Sequence, residues 1–68
     1  MKAGDIVMFV DTGSYAKWFF GRIAVCERSS VKSRTCRVRW IQPVKYFDSY
    51  TTSSDFGWDR FDDFGANK

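Results

Sequence analysis

Sixty-eight residues with a net charge of +3, no histidine, two cysteines and thirteen aromatic side chains make one small domain over 1–68. A chain this short buries only about 60% of its unfolded surface, and without histidine it lacks the commonest general base, so a binding domain is expected and not an enzyme. Two cysteines supply neither a disulfide scaffold nor a four-ligand zinc site, and no apolar run approaches the roughly 18 residues of a membrane span.

The chain opens on a turn and a first strand, Gly4-Asp5-Ile6-Val7-Met8-Phe9-Val10, which the turn formers Asp11-Thr12-Gly13-Ser14 end. No signal-peptide pattern precedes Gly4, and a cytoplasmic protein without membrane contact is expected. Tyr15-Ala16-Lys17 leads into a long second strand, Trp18–Arg28, rich in aromatic and β-branched residues. Gly21 inside it marks a sharp bend or a close crossing of strands. The polar link Ser29 to Arg34 joins it to a third strand, Thr35–Ile41, whose apolar and basic side chains alternate with period two. Gln42-Pro43 stops that strand, because proline lacks the ladder donor. A loop and a short fourth strand centred on Tyr50–Thr52 follow. Ser53-Ser54-Asp55 reads as a turn or a capped helical turn running to Trp58, and 59–64 as a closing strand or turn, with 65–68 frayed.

The hairpin of the second and third strands has an expected register. With the link centred between Val31 and Lys32, Val25 faces Val38 and Ile23 faces Trp40 on an apolar face. The other face holds Arg22, Ala24, Cys26 and Arg28 against Ile41, Arg39, Arg37 and Thr35. This separates Cys26 from Cys36 and makes both free thiols. Phe9, Phe19, Trp40 and Phe61 are assigned to the core, and Trp58 is open between core and surface.

Five short strands with a glycine-turn start and a long second strand resemble a Src-homology-3-like small barrel. The first third, Gly4-Asp5-x-Val7 with Gly13 and Gly21-x-Ile23, resembles a KOW-type motif. Phe19-Phe20-Gly21-Arg22-Ile23 ahead of Arg37-Val38-Arg39-Trp40 is similar to Tudor-type barrels, and Asp59-Arg60-Phe61-Asp62-Asp63-Phe64 is similar to the closing segment of many such barrels, small phage proteins among them. The resemblance implies an all-β, five-stranded SH3-like barrel and contact with RNA or the transcription and translation machinery. In its Tudor form it implies a cage for methylated lysine at Phe19 and Trp40, with Val10 and Gln42 at the remaining two cage positions.

Charge is unevenly spread. Residues 1–45 hold nine Lys/Arg against three acids, and residues 46–68 hold two against five, which points to an anionic partner. From Arg28 to Arg39 the chain has five cations and no acid. Arg22, Arg28, Lys32, Arg34, Arg37 and Arg39 are therefore the expected phosphate-binding residues, since arginine also offers bidentate bonds and base stacking. Clustered like charges on one face repel unless something anionic lies against them. Tyr15, Phe20 and Tyr46 are the expected stacking rings. The partner is thus expected to be nucleic acid, RNA or DNA, or else a protein gripped through exposed aromatics. No cofactor, metal or small-molecule substrate is expected. Asp59, Asp62 and Asp63 read as a solvated acidic tail or an internal balance for the arginines and not as a metal or acid–base cluster, because neighbouring strand residues point to opposite faces.

Overall fold

Alternation organises the first strand. In Ile6–Phe9 (β1) Val7 and Phe9 are buried while Ile6 and Met8 are half-exposed. The computed structural model describes residues 1–63, and its further elements are Ala16–Phe19 (α1), Ile23–Ser30 (β2), Thr35–Tyr46 (β3), Ser49–Gly57 (β4), a 3-10 turn at Trp58–Arg60 and Phe61–Asp63 (β5). All five strands join one antiparallel sheet in the order β4-β3-β2-β1-β5, with β4 and β5 as its two edges. The all-β class matches expectation.

Residues 18–20 are not strand. A single helical turn carries Trp18 and Phe19, closed by the bonds from the Phe19 and Phe20 amides to the Tyr15 and Ala16 carbonyls. Aromatic richness favours a strand locally, but Tyr15 and Phe19 are four residues apart and share a helical face. That turn drops Phe19 into the core with Tyr15 beside it, their centroids 6.4 Å apart.

Gly21 marks the exit from this turn, not a strand crossing. Its φ is +81°, a side chain there would meet nothing within 4 Å, and its amide donates to the Phe9 carbonyl at 2.8 Å. The requirement is a left-handed backbone, which costs roughly 1–2 kcal/mol for residues with a Cβ. Gly21→Val is expected to lower the melting temperature by about 4–8 °C per kcal/mol lost, and Gly21→Asn by less, since asparagine tolerates this region. Calorimetry of the two variants checks the order; equal melting temperatures for Gly21→Val and wild type would contradict it.

The β2–β3 register differs from expectation by one residue over Ala24–Cys26 and by two at the hairpin tip. Ala24 pairs with Trp40, Val25 with Arg39 and Cys26 with Val38; a bulge at Glu27 then shifts the pairing to Arg28–Arg37, Ser29–Cys36 and Ser30–Thr35. Ala24 and Cys26 therefore face inward with Cys36, Val38 and Trp40, while Ile23 and Val25 face outward. Small side chains on β2 leave room for the rings above them, a requirement no pairwise hydrophobic match reveals.

Pro43 does not end β3. The strand continues to Tyr46, and the proline falls between Arg39 and Val44, where pairing with β4 is irregular. A missing donor is tolerated at such an irregularity. Ser53-Ser54-Asp55 is likewise strand, paired to Arg39, Val38 and Arg37, and is not a turn. The helical turn comes later, at Trp58–Arg60, and Phe61–Asp63 closes against β1. Phe64 and the expected frayed end, 65–68, lie outside the described residues.

The core is built on Phe9. Its ring meets Phe56 at 5.1 Å, Phe61 at 5.4 Å, Phe19 at 5.7 Å and Trp40 at 6.4 Å. Phe9, Phe19, Trp40 and Phe61 are all buried, as expected. Trp58 is half-buried, and its indole N–H donates to Ser29 Oγ and the Thr35 carbonyl, each at 3.0 Å.

Both cysteines are buried thiols, and Cys26 lies on the inner face and not, as expected, on the basic one. The Cys36 thiol donates to the Phe56 carbonyl at 3.6 Å, and its pKa is pushed up to about 11, chiefly by burial, with Cys26 and Asp55 adding to the effect. A thiol whose folded pKa lies above its unfolded value keeps its proton better in the folded state, so stability falls as pH rises beyond the unfolded pKa near 9. Native protein at pH 8 is expected to resist iodoacetamide and to react on denaturation. Fast labelling of Cys36 in the native state, followed by mass spectrometry, would contradict this.

Candidate functional site

The β2–β3 hairpin carries the basic side chains, but the fold neutralises part of them. Arg37 sits opposite Asp55 in the β3–β4 register; its guanidinium donates to Asp55 Oδ2 and Ser53 Oγ, each at 3.1 Å. The bulge turns Glu27 toward solvent, 3.3 Å from Arg39 and 3.9 Å from Arg37. The repulsion expected on this face is thus relieved from within the chain. Exposed pairs of this kind contribute about 0–1 kcal/mol, but they lower the charge offered to a phosphate.

Arg34 takes a left-handed conformation at the hairpin tip, φ 56°, where its carbonyl accepts from the Trp58 amide and its guanidinium lies 5.5 Å over the Trp58 ring. Arg28 and Lys32 are exposed and have no ion-pair partner among the described residues. Arg28 and Arg37 border an open cleft of about 540 Å³ that also exposes Ser29, Ser30, Thr35 and Asp55.

Tyr15 and Tyr46, expected as stacking rings, are half-buried and lie on each other at 6.3 Å and 29°. Both pack on Phe19, and burial followed by the neighbouring Tyr15 pushes the Tyr46 phenol above its usual pKa. Arg60, held by Asp11 at 2.7 Å, lies 5.4 Å over Tyr15 and 5.7 Å over Phe56. These rings close the core more than they offer a platform, though Tyr15, Tyr46, Phe56 and Asp55 border a cleft of about 320 Å³. The cage positions Phe19 and Trp40 are buried and stacked on each other at 4.9 Å and 16°, so they do not frame an open cage.

Two of the expected rings and the hairpin border neighbouring clefts, Tyr15 and Tyr46 the one and Arg28 and Arg37 the other, and Asp55 and Phe56 line both. β3 is twelve residues long, with the tip before Thr35 at one end and Tyr46 at the other. Phe20 and Arg22 belong to the Tyr46 end, where β1 finishes and β2 begins; of these expected residues, Phe20 is 55% exposed and Arg22 lines a small cleft with Ile41.

That end holds functional candidates the sequence reading passed over. Trp18 meets Phe47 at 4.7 Å and Tyr46 at 4.8 Å, and Lys17 Nζ lies 4.4 Å over its ring. Phe47 is 63% exposed with φ 57°, a left-handed conformation that bulky residues rarely hold. Tyr50, 68% exposed, sits opposite Lys45 across β3 and β4. Strain of this kind concentrates at binding sites. The sequence carries a signal for it in Tyr46-Phe47-Asp48-Ser49-Tyr50, two ring-bearing flanks around a polar turn, but reading Trp18 as strand does not set it beside that turn.

Asp59 and Asp62 are exposed, and no group of three or more His, Cys, Asp or Glu among the described residues is placed to hold a metal. No helix of the described residues is long and apolar enough to cross a membrane. Compared with known proteins, the chain matches no family model, no curated protein and no solved structure.

Proposed function

We propose that this chain is an SH3-like small barrel that binds single-stranded nucleic acid, stacking bases at the Trp18–Phe47 end and meeting phosphates there and along the β2–β3 hairpin. A consecutive antiparallel sheet whose fifth strand returns to the first supports the barrel reading. One observation carries the function. Trp18 and Phe47 meet at 4.7 Å with Lys17 over the Trp18 ring, Lys45 sits opposite the exposed Tyr50 just beyond, and neither lysine has an ion-pair partner among the described residues. Aromatic faces interleaved with uncompensated cations suit a single strand, whose bases stack and whose backbone is anionic. Asp48 is the acid of this end's turn. Exposed rings also favour protein interfaces, and a protein partner is the second reading.

Fluorescence polarisation of a labelled single-stranded oligonucleotide across a salt series tests the proposal. If about four cations meet phosphates, log affinity should fall with log salt at a slope near −3. Replacing Arg28 and Lys32 with Gln is expected to flatten the slope by about 1.4. Replacing Arg37 and Arg39 should flatten it less, because Glu27 and Asp55 already neutralise them. Absence of salt-sensitive binding at low ionic strength would reject nucleic acid and leave the protein partner.

A further inference from the structure

The two edges of the sheet are unlike. β5 is three residues long and carries Asp62 and Asp63, a short and charged edge of the kind that resists pairing. β4 runs nine residues with no proline, lysine or arginine, and its one charge is Asp55. Over 53–57 its pairing to β3 is regular, none of these residues is buried, and no backbone hydrogen bond among the described residues joins β4 to any element but β3. Alternate residues of an edge strand turn their N–H and C=O away from the sheet. Two carbonyls here also accept side-chain bonds, Ser53 from the Thr51 hydroxyl and Phe56 from the Cys36 thiol. A carbonyl has two lone pairs, so both can still accept from a further strand.

A cleft lies on each face of this edge. Cys36, Val38 and Val44 are buried, so their partners Phe56, Ser54 and Thr51 share the inner face. With the rings of Tyr15, Phe19 and Tyr46 they line the cleft of about 320 Å³. Asp55 and Gly57 pair with Arg37 and Thr35 and fall on the outer face, as do Arg28 and Ser30 across β2. These residues border the cleft of about 540 Å³. Asp55 and Phe56 line both clefts, which therefore meet at one point of the edge. Trp18 and Phe47 line neither.

A strand added to β4 sends successive side chains to these same two faces. Beside Asp55 and Phe56, one side chain enters the ring-lined cleft and its neighbour enters the arginine-lined one. The rings of Tyr15, Phe19, Tyr46 and Phe56 suit an aromatic side chain. In the outer cleft Asp55 holds Arg37 at 3.1 Å, whereas Arg28 has no ion-pair partner among the described residues. That uncompensated guanidinium suits a carboxylate. We propose that the free edge of β4 takes up an extended segment of a partner protein in which an acidic residue adjoins an aromatic one. Main-chain bonds along 53–57 supply affinity, and the two clefts supply selection.

Fluorescence polarisation of a labelled peptide, Thr-Thr-Thr-Glu-Phe-Thr-Thr-Thr, tests this on the full chain with no oligonucleotide present. Saturable binding is expected. Alanine in place of the peptide's phenylalanine should weaken it about tenfold to a hundredfold, from the apolar surface left unburied. Glutamine in place of its glutamate should weaken it about twofold to fivefold, as for an exposed ion pair. Arg28→Glu should disfavour this peptide and favour one with lysine in place of the glutamate. N-methylation scanned along the peptide should weaken binding at every second residue, the period of strand pairing. Hydrogen exchange should show alternate amides of 53–57 unprotected in the free chain and protected with peptide. No binding at about millimolar peptide, or binding indifferent to N-methylation, overturns the proposal; salt-sensitive oligonucleotide binding by the same sample would leave the nucleic-acid reading standing. A dimer in sedimentation velocity, with those amides protected without peptide, overturns it as well, because a second copy then holds the edge.

Discussion

Phe9→Ala is expected to leave the domain largely unfolded at 25 °C. Phe9 is fully buried and, among the described residues, is the one ring in contact with Phe19, Trp40, Phe56 and Phe61 together. Truncating a core phenylalanine costs about 3–5 kcal/mol through lost transfer energy and the cavity left behind. At the usual 0.05–0.15 kcal/mol per residue, a chain of this length holds only about 3–10 kcal/mol in total. Collapse of the surrounding rings into the gap is limited, because β1 is pinned by β2 on one side and β5 on the other. Loss of near-ultraviolet circular dichroism, with Phe20→Ala as an exposed control that keeps it, checks the expectation. A cooperative melt of Phe9→Ala near the wild-type temperature would mean that the core is organised around another ring.

Phe47→Gly is expected to separate binding from stability. Glycine relieves a left-handed backbone that costs a bulky residue roughly 1–2 kcal/mol. Against that gain stand the ring contacts to Trp18 at 4.7 Å and Tyr46 at 4.6 Å, each about 0.5–1.5 kcal/mol at full strength and less for a ring 63% exposed. The two effects nearly cancel, and the melting temperature should move by no more than about 8 °C in either direction. If Phe47 stacks on a base, affinity for a single-stranded oligonucleotide should fall about fivefold to a hundredfold, from the roughly 1–3 kcal/mol of one stacked base. The salt slope should be unchanged, since no charge is removed. Unaltered affinity would remove Phe47 from the site; a large loss of stability would show that the turn depends on the ring and not on its exposure.

Much of the frame is legible in the residues alone. Alternation in Val7–Phe9 and in Cys36–Trp40 marks strands with one buried face, and Phe9, Phe19, Trp40 and Phe61 are assigned to the core by size and position before any pairing is known. Period-two patterning is local, so a short window suffices to read it. The charge imbalance and the basic hairpin are likewise visible in the composition.

Tertiary structure decides the rest. Trp18 and Phe19 become helical because Tyr15 and Phe19 must reach the core together, a demand that local β propensity does not express. The bulge at Glu27 shifts the β2–β3 pairing and exchanges which β2 residues face inward, since one inserted residue inverts every side chain beyond it. Pairing with β4 then brings Asp55 to Arg37, which changes the meaning of the basic run without changing a residue of it. Trp18 and Phe47 stand 29 positions apart in the chain and meet only because α1 lies beside the β3–β4 turn. Long-range contacts of that kind depend on the path of the chain between them, which no window of the sequence contains.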